Sequence, residues 1–425
     1  MVPSSYGIGL DRWPGGWQRL PRAIRLAALS VTLAVLGAAA GWAQEPETRA
    51  EADRRQREQN AATAKPYEPN GLERAMNVGE DKAIFILDRE GFHPKLGSLT
   101  TGSGFAYGGG FRDRDLFSNT GMLELWGAGS IKGYWATEAR LTFPRVADNH
   151  LYFSAWASHR DYPEESFFGL GPDSARDARS DYAIRTNHFG GRAGVRPVTH
   201  LLVGGGVEYL EPRLGAGQND QFPDATDTFS PSELPGIDTR ADFLRSEAFV
   251  EVDYREPINA RQGGWYRFDY SHYADRTASQ FTFNRFDADL RQFFGFLSGR
   301  RVIATRLAVS TSETDSGQTM PFYFMPTLGG NSTLRGFREY RFRGPHAILA
   351  QAEYRWEIWS GFDGALFYDA GKVADRRGDL NFTDLETDYG IGFRFNTDNG
   401  VVFRVDTAFG SRDGKHLYIV FGGVF

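Results

Sequence analysis

Apolar residues fall at every second position through much of the chain. In AILAQAEYRWEIW, residues 347–359, Ile348, Ala350, Ala352, Tyr354, Trp356 and Ile358 alternate with Leu349, Gln351, Glu353, Arg355 and Glu357. A strand here has one apolar face and one that is mostly polar and charged. In EAFVEVDYR, Ala248, Val250, Val252 and Tyr254 oppose Glu247, Glu251, Asp253 and Arg255. In NRFDADLR, Phe286, Ala288 and Leu290 oppose Arg285, Asp287, Asp289 and Arg291. In DYGIGFRF, Tyr389, Ile391, Phe393 and Phe395 oppose Gly390, Gly392 and Arg394, and in VVFRVDTAF Val401, Phe403, Val405 and Phe409 oppose Arg404 and Asp406. A soluble antiparallel sandwich alternates too, with its apolar face as the core. Alternation alone therefore leaves open whether the apolar face meets a core or lipid.

The connections separate the two. Short turns at 197–200, 298–300 and 397–400 alternate with long polar connections at 214–240 and 311–343, the asymmetry expected of outer-membrane barrels. Read back from the C-terminus, the pattern predicts an all-β chain of about sixteen antiparallel strands between Ser103 and Phe425, an even number that puts both ends on the periplasmic side. A short strand around Phe167, Phe168 and Gly169 and another over 151–160 belong to that count. The last strand, HLYIVFGGVF, turns Leu417, Ile419, Phe421 and Phe425 to one face, with Gly423 interrupting the stripe. Its terminal aromatic resembles the assembly signal of bacterial outer-membrane proteins.

The N-terminus has a different pattern. Arg19, Arg22 and Arg25 precede the apolar stretch of residues 26–40, and Gly41-Trp42-Ala43 supplies small residues around a cut after Ala43. That order predicts a secretory signal peptide over 1–43. The alternative, a retained anchor, needs ~20 apolar residues to span, and the stretch has 15. Residues 44–98 read as a mostly disordered periplasmic leader, charged at first, with folded structure expected to begin near residues 83–87 and the barrel over 99–425.

Composition narrows the chemistry. The 425 residues include 34 Phe, 18 Tyr, 9 Trp and 50 Gly, carry a net charge of −6, and contain no Cys; mean hydropathy is −0.44. Absence of cysteine excludes disulfides, zinc-thiolate sites and a cysteine nucleophile. No G-x-S-x-G, H-E-x-x-H, G-x-G-x-x-G or phosphate-loop pattern occurs, so no enzyme, cofactor or metal site is expected. Ser271 and His272, the one candidate hydrolase pair, point to opposite faces if they lie on a strand. The acidic cluster Asp220, Asp224 and Asp227 lacks ligand spacing and reads as a solvated loop. Negative charge without a basic stripe argues against nucleic acid.

Residues 328–344 read LGGNSTLRGFREYRFRG, followed by Glu353 in QAEYRWEI and Asp369 in LFYDAGKV. Together these resemble the outer-membrane assembly and secretion superfamily that includes BamA, TamA and the two-partner secretion transporters, the bacterial surface antigen family. The resemblance runs from about residue 101 to the end, with Phe168-Gly169-Leu170-Gly171 as a weaker match. It implies that an Arg-Gly-Phe loop tip, here Arg335, Gly336 and Phe337, folds back into the lumen onto acidic partners, here Glu353 and Asp369. Phe367, Asp369 and Gly371 supply the family's Phe-x-Asp-x-Gly pattern. A guanidinium in a partly dehydrated lumen needs carboxylates for its fork of donors; Gly336 is expected to give a tight turn and Gly371 to leave room beside it. Residues 44–98 do not accommodate the family's periplasmic polypeptide-transport-associated domains, so the resemblance is to members lacking them.

The predicted first strand, SGFAYGGGF, contains Gly108, Gly109 and Gly110. These glycines imply either a weak seam against the last strand, as the family's lateral gate requires, or room for packing or a bend. The expected function is outer-membrane protein assembly, translocation or envelope organisation. The alternative is a passive porin for small solutes. Expected partners are outer-membrane lipid, the barrel assembly machinery during biogenesis, and a periplasmic protein reached through residues 44–87.

Overall fold

A computed structural model describes residues 90–421 except 101, 257–259 and 398–399. The predicted signal peptide, the leader up to residue 89, and Gly423 and Phe425 lie outside the described residues, as do the side chains of Val401 and Phe421. Sixteen strands form one antiparallel sheet in chain order, a barrel. They are β1 (Gly91–Gly97), β2 (Ala106–Asp115), β3 (Gly121–Ser130), β4 (Trp135–Val146), β5 (Leu151–Phe167), β6 (Ser180–Val198), β7 (Leu201–Ala216) and β8 (Phe243–Asp253). Then come β9 (Gly263–Asp275), β10 (Phe283–Phe296), β11 (Arg301–Thr314), β14 (His346–Trp359), β15 (Phe362–Ala374), β16 (Glu386–Thr397), β17 (Gly400–Ser411) and β18 (Gly414–Phe421). Two-residue strands β12 (Thr327–Leu328) and β13 (Phe342–Arg343) pair with each other inside the long connection after β11.

Among the described residues no helix is long and apolar enough to cross a membrane; the strands do so. The period of two assigns their faces. On β14, Leu349, Gln351, Glu353 and Arg355 are buried while Tyr354 and Ile358 are exposed. On β15, Phe367 and Asp369 are buried while Leu366 and Tyr368 are exposed. Only lipid stabilises so many large exposed apolar groups, so the charged face lines the interior.

The strand count agrees with the sequence, but its members do not. The expected first strand is β2, and β1 lies in what reads as leader. GFHPKLG hides its alternation because Pro94 and two glycines replace the large residues, yet Phe92 and Leu96 are exposed while His93 is buried. Proline donates no ladder hydrogen bond and belongs on an edge. At the other end of the count, Phe167 closes the 17-residue β5, and Phe168 and Gly169 lie in the following loop. One strand missed and one strand split leave sixteen.

Short turns gather at one rim, where Val198 pairs with Leu201, Phe296 with Arg301 and Thr397 with Gly400. Long connections gather at the other. There β5, β6 and β7, of 17, 19 and 16 residues, exceed the ~9–11 a membrane strand needs and project beyond it. The long connections roof that rim: Phe322 packs edge-on against Phe167 and Tyr182 at 5.3 and 4.9 Å, and Met320 joins Phe243, Phe281 and Phe283.

Leu366 sits mid-strand on the outer face of β15. Leu366→Arg should cost about 2–4 kcal/mol of folding stability near the midplane, read as a lower unfolding midpoint of the reconstituted barrel; an unchanged midpoint would contradict the face assignment.

Candidate functional site

The connection between β11 and β14, residues 315–345, does not stay outside. Its tip is a hydrogen-bonded turn, with Phe337 N donating to Leu334 O at 3.1 Å. It lies against the inner faces of β14 to β17. Three successive carbonyls accept from wall side chains: Asn331 O from Arg404 at 2.6 Å, Ser332 O from Arg306 at 3.1 Å, and Thr333 O from Gln351 at 2.7 Å.

Arg335 is fully buried at the centre. Its Nε and Nη2 donate to the two oxygens of Asp369, each at 2.8 Å, and its Nη1 donates to Glu353 Oε2 at 3.0 Å. Asp406 lies 3.6 Å from Nη1. The guanidinium also stacks over the Phe367 ring at 3.4 Å. Register explains this geometry. Glu353, Phe367, Gly390 and Ala408 stand in one row across β14 to β17, and the Phe367 ring occupies the space a Cβ on Gly390 would need. Because Gly390 lacks that Cβ, the ring lies against the wall and gives Arg335 a flat floor.

The anions are shared. Glu353 also accepts from Arg355 at 2.7 Å and from Arg394 at 3.1 and 2.8 Å. Arg394 and Arg404 both donate to Asp406. Burial opposes the charge of Arg335, but Asp369, then Glu353 and Asp406, more than offset it, and its pKa lies above the ordinary arginine value.

The glycines act through space. Gly336 does not enter the left-handed region, so the expected tight-turn role gives way to close approach: a Cβ there would overlap Asp388. At Gly371 a Cβ would press on Ile348 O and on Leu328, which the loop inserts beside it. Phe337 is buried against Phe342, Leu334 and Leu349. The loop base meets the weaker motif, where Gly171 N donates to Arg343 O at 2.8 Å and Arg341 lies over the Phe168 ring at 5.2 Å.

The seam glycines require correction. Gly108, Gly109 and Gly110 lie on β2 and pair with Lys95, Pro94 and His93 on β1 as well as with β3, so they do not border the last strand. A Cβ on Gly108 would overlap Ala128 and one on Gly110 would overlap His93; packing room is their local role. The ends to be joined are β1 and β18, and among the described residues no ladder connects them. The loop touches both sides of that seam. Tyr418 of β18 donates to Phe337 O at 3.0 Å, and Tyr340 shares a 2.8 Å hydrogen bond with Thr100, just past β1.

Thr100, Tyr340 and Tyr418 were not singled out in the sequence, where nothing distinguishes them from other polar loop and lumen residues. Arg394 and Asp406 had one signal, their place on the polar face. Elsewhere, Ser271 is buried and bonded to Arg245, while His272 on the opposite face bonds Asn284. Asp224 caps a single helical turn through Thr226 N at 2.8 Å.

The family model described as the Omp85 superfamily domain matches residues 133–422. The fold is similar to BamA from Haemophilus ducreyi lacking POTRA domains 1–3, with TM-score 0.58 and 13% identity over 78% of this chain and 70% of that one. It is similar also to CdiB from Escherichia coli, with TM-score 0.51 and 12% identity over 77% of this chain and 61% of that one. No curated protein matches the sequence.

Removing one partner of a buried charge network leaves the others uncompensated, at about 3–5 kcal/mol. Arg335→Ala and Asp369→Ala should each lower the temperature at which the barrel loses its compact mobility on unheated gels and raise its conductance in planar bilayers. Arg335→Lys should fall between, since an ammonium keeps the charge but not the fork. Wild-type behaviour in both alanine variants would show that the loop does not depend on this contact.

Proposed function

The chain belongs to the Omp85 superfamily, and from that premise we propose that it works at its wall, handling polypeptide at the edge between β1 and β18 in outer-membrane protein assembly or translocation. Both termini are periplasmic in this reading, the long-loop rim faces outward, and client capture falls to a partner reached through residues 44–87. The protein's own biogenesis uses the barrel assembly machinery, and no catalytic step is involved.

The observation that carries the reading is the manner in which the seam is held. Strands β1 and β18 have 7 and 8 residues, and no ladder joins them among the described residues. Unpaired edge N–H and C=O groups are a template for an added strand. In place of a ladder, the loop reaches one side through Tyr418 and the other through Thr100. At about 0.5–1.5 kcal/mol per hydrogen bond, two such contacts are easier to release than a run of backbone pairs. The Arg335 network anchors the loop from which both contacts project.

The porin reading has weaker support. The long connections roof one rim, and the inner charges are engaged with one another: Arg245 with Glu208, Arg267 with Asp269, Arg291 with Asp289. Such pairing leaves little net field to select a solute.

Because the native chain has no cysteine, cysteine pairs between residues 93–96 and 417–420 can be scanned under oxidising conditions. At least one register should cross-link, and that cross-link should deplete other barrels from the outer-membrane proteome, reversibly on reduction. Failure of every register would end the closure scheme. A cross-linked barrel that supports a normal proteome would end the assembly reading.

A further inference from the structure

Three connections of the long-loop rim meet around a pocket of about 620 Å³. Arg176 and Arg179 come from the connection between β5 and β6, Phe222 and Thr228 from the one between β7 and β8, and Arg338 from the loop that carries Arg335. Asp177 is the one acidic residue of the lining. Arg176 is exposed and Arg179 and Arg338 are half-buried, so all three reach solvent.

These arginines differ from their neighbours in having no counter-charge. On the same rim Arg341 pairs with Asp413 at 3.4 Å and Arg412 with Glu386 at 2.7 Å. Among the described residues Arg176, Arg179 and Arg338 form no ion pair. Arg176 donates to Arg412 O at 3.4 Å, and Arg179 donates to Ser166 Oγ at 3.1 Å while its guanidinium lies over the Phe222 ring at 3.9 Å. The Arg338 side chain has no hydrogen-bond partner among the described residues. Burial, and after it the charge of Arg338, push the pKa of Arg179 below the ordinary arginine value. Glu164, Asp181 and Glu339 act in the opposite sense, but they line a second cavity beside the seam, with Arg179 in the wall common to both. Like charges gathered at one pocket repel, and a bound anion reverses the sign of that interaction.

The donors select the anion. A carboxylate offers two oxygens and a single charge. A phosphate monoester carries about two charges and three terminal oxygens, one for each planar guanidinium fork. The volume is that of a small-molecule site, enough for the phosphate and the sugar that bears it.

We propose that this pocket binds a phosphate monoester on a saccharide presented at the outer surface. Arg338 lies between Phe337 and Tyr340, the two residues that reach the sides of the seam. A phosphate held by all three arginines therefore fastens the loop to the connections after β5 and β7 and keeps both seam contacts in place. Binding rests on the outward orientation of the long-loop rim, and its effect on the seam rests also on the function proposed above.

The test titrates the full barrel, in detergent and phosphate-free buffer, with glucose 1-phosphate and, at matched ionic strength, with glucuronate. Calorimetry should show saturable binding of the phosphate and at least about tenfold weaker binding of the carboxylate. Arg179→Gln and Arg338→Gln should each lose about tenfold in affinity, the scale of one charge-assisted hydrogen bond. Arg338→Gln breaks no side-chain contact of the free protein, so without ligand it should keep the wild-type temperature of the compact-mobility transition on gels, and it should lose the rise in that temperature that ligand gives wild type. A rise with free glucose 1-phosphate supports a soluble source; a rise confined to nanodiscs containing lipopolysaccharide supports a lipid-borne one. A rise with neither, equal binding of glucuronate, or full affinity in both glutamine variants would overturn the proposal. None of these readouts passes through client assembly, so a failure here is distinct from a failure at the seam.

Discussion

A guanidinium with no exposure to water has to find its hydrogen-bond acceptors inside the protein, and that requirement organises the lumen. Arg335 comes from a connection that could have remained outside, and Asp369 and Glu353 on adjacent strands receive it. Leaving a buried charge unpaired would cost several kcal/mol; here each donor nitrogen has a carboxylate. Arg355, Arg394 and Arg404 hold Glu353 and Asp406 in position and share their charge.

Small residues make that network possible. Gly390 lets Phe367 lie flat as the floor under Arg335, Gly336 lets the loop tip pass Asp388, and Gly371 admits Leu328. None of the three adopts a left-handed backbone. Their role is the absence of a Cβ where two elements approach closely, the case in which any larger side chain forces a shift of backbone.

The same loop connects the lumen to the wall. From the anchored Arg335 the chain continues to Phe337 and Tyr340, whose contacts with Tyr418 and Thr100 lie on the two sides of the unladdered seam. A change that frees the tip therefore also loosens the contacts that hold β1 and β18 near each other.

By itself the sequence determined the class of fold and the faces of the regularly alternating strands, because side chains alternate across a strand and lipid and lumen demand opposite chemistry. It also carried Arg335, Glu353 and Asp369 as a motif in the right order. It did not reveal β1, whose Pro94 and glycines suppress alternation, or the extension of β5 through Phe167. Only the tertiary structure decided which polar residues meet, since partners such as Glu353 and Arg394 lie 41 residues apart and their contact depends on the register of every hairpin between them. The glycines show the same limit: a glycine reads alike in sequence whether it turns the chain, lets a loop pass or makes room for a ring, because what it accommodates belongs to another element.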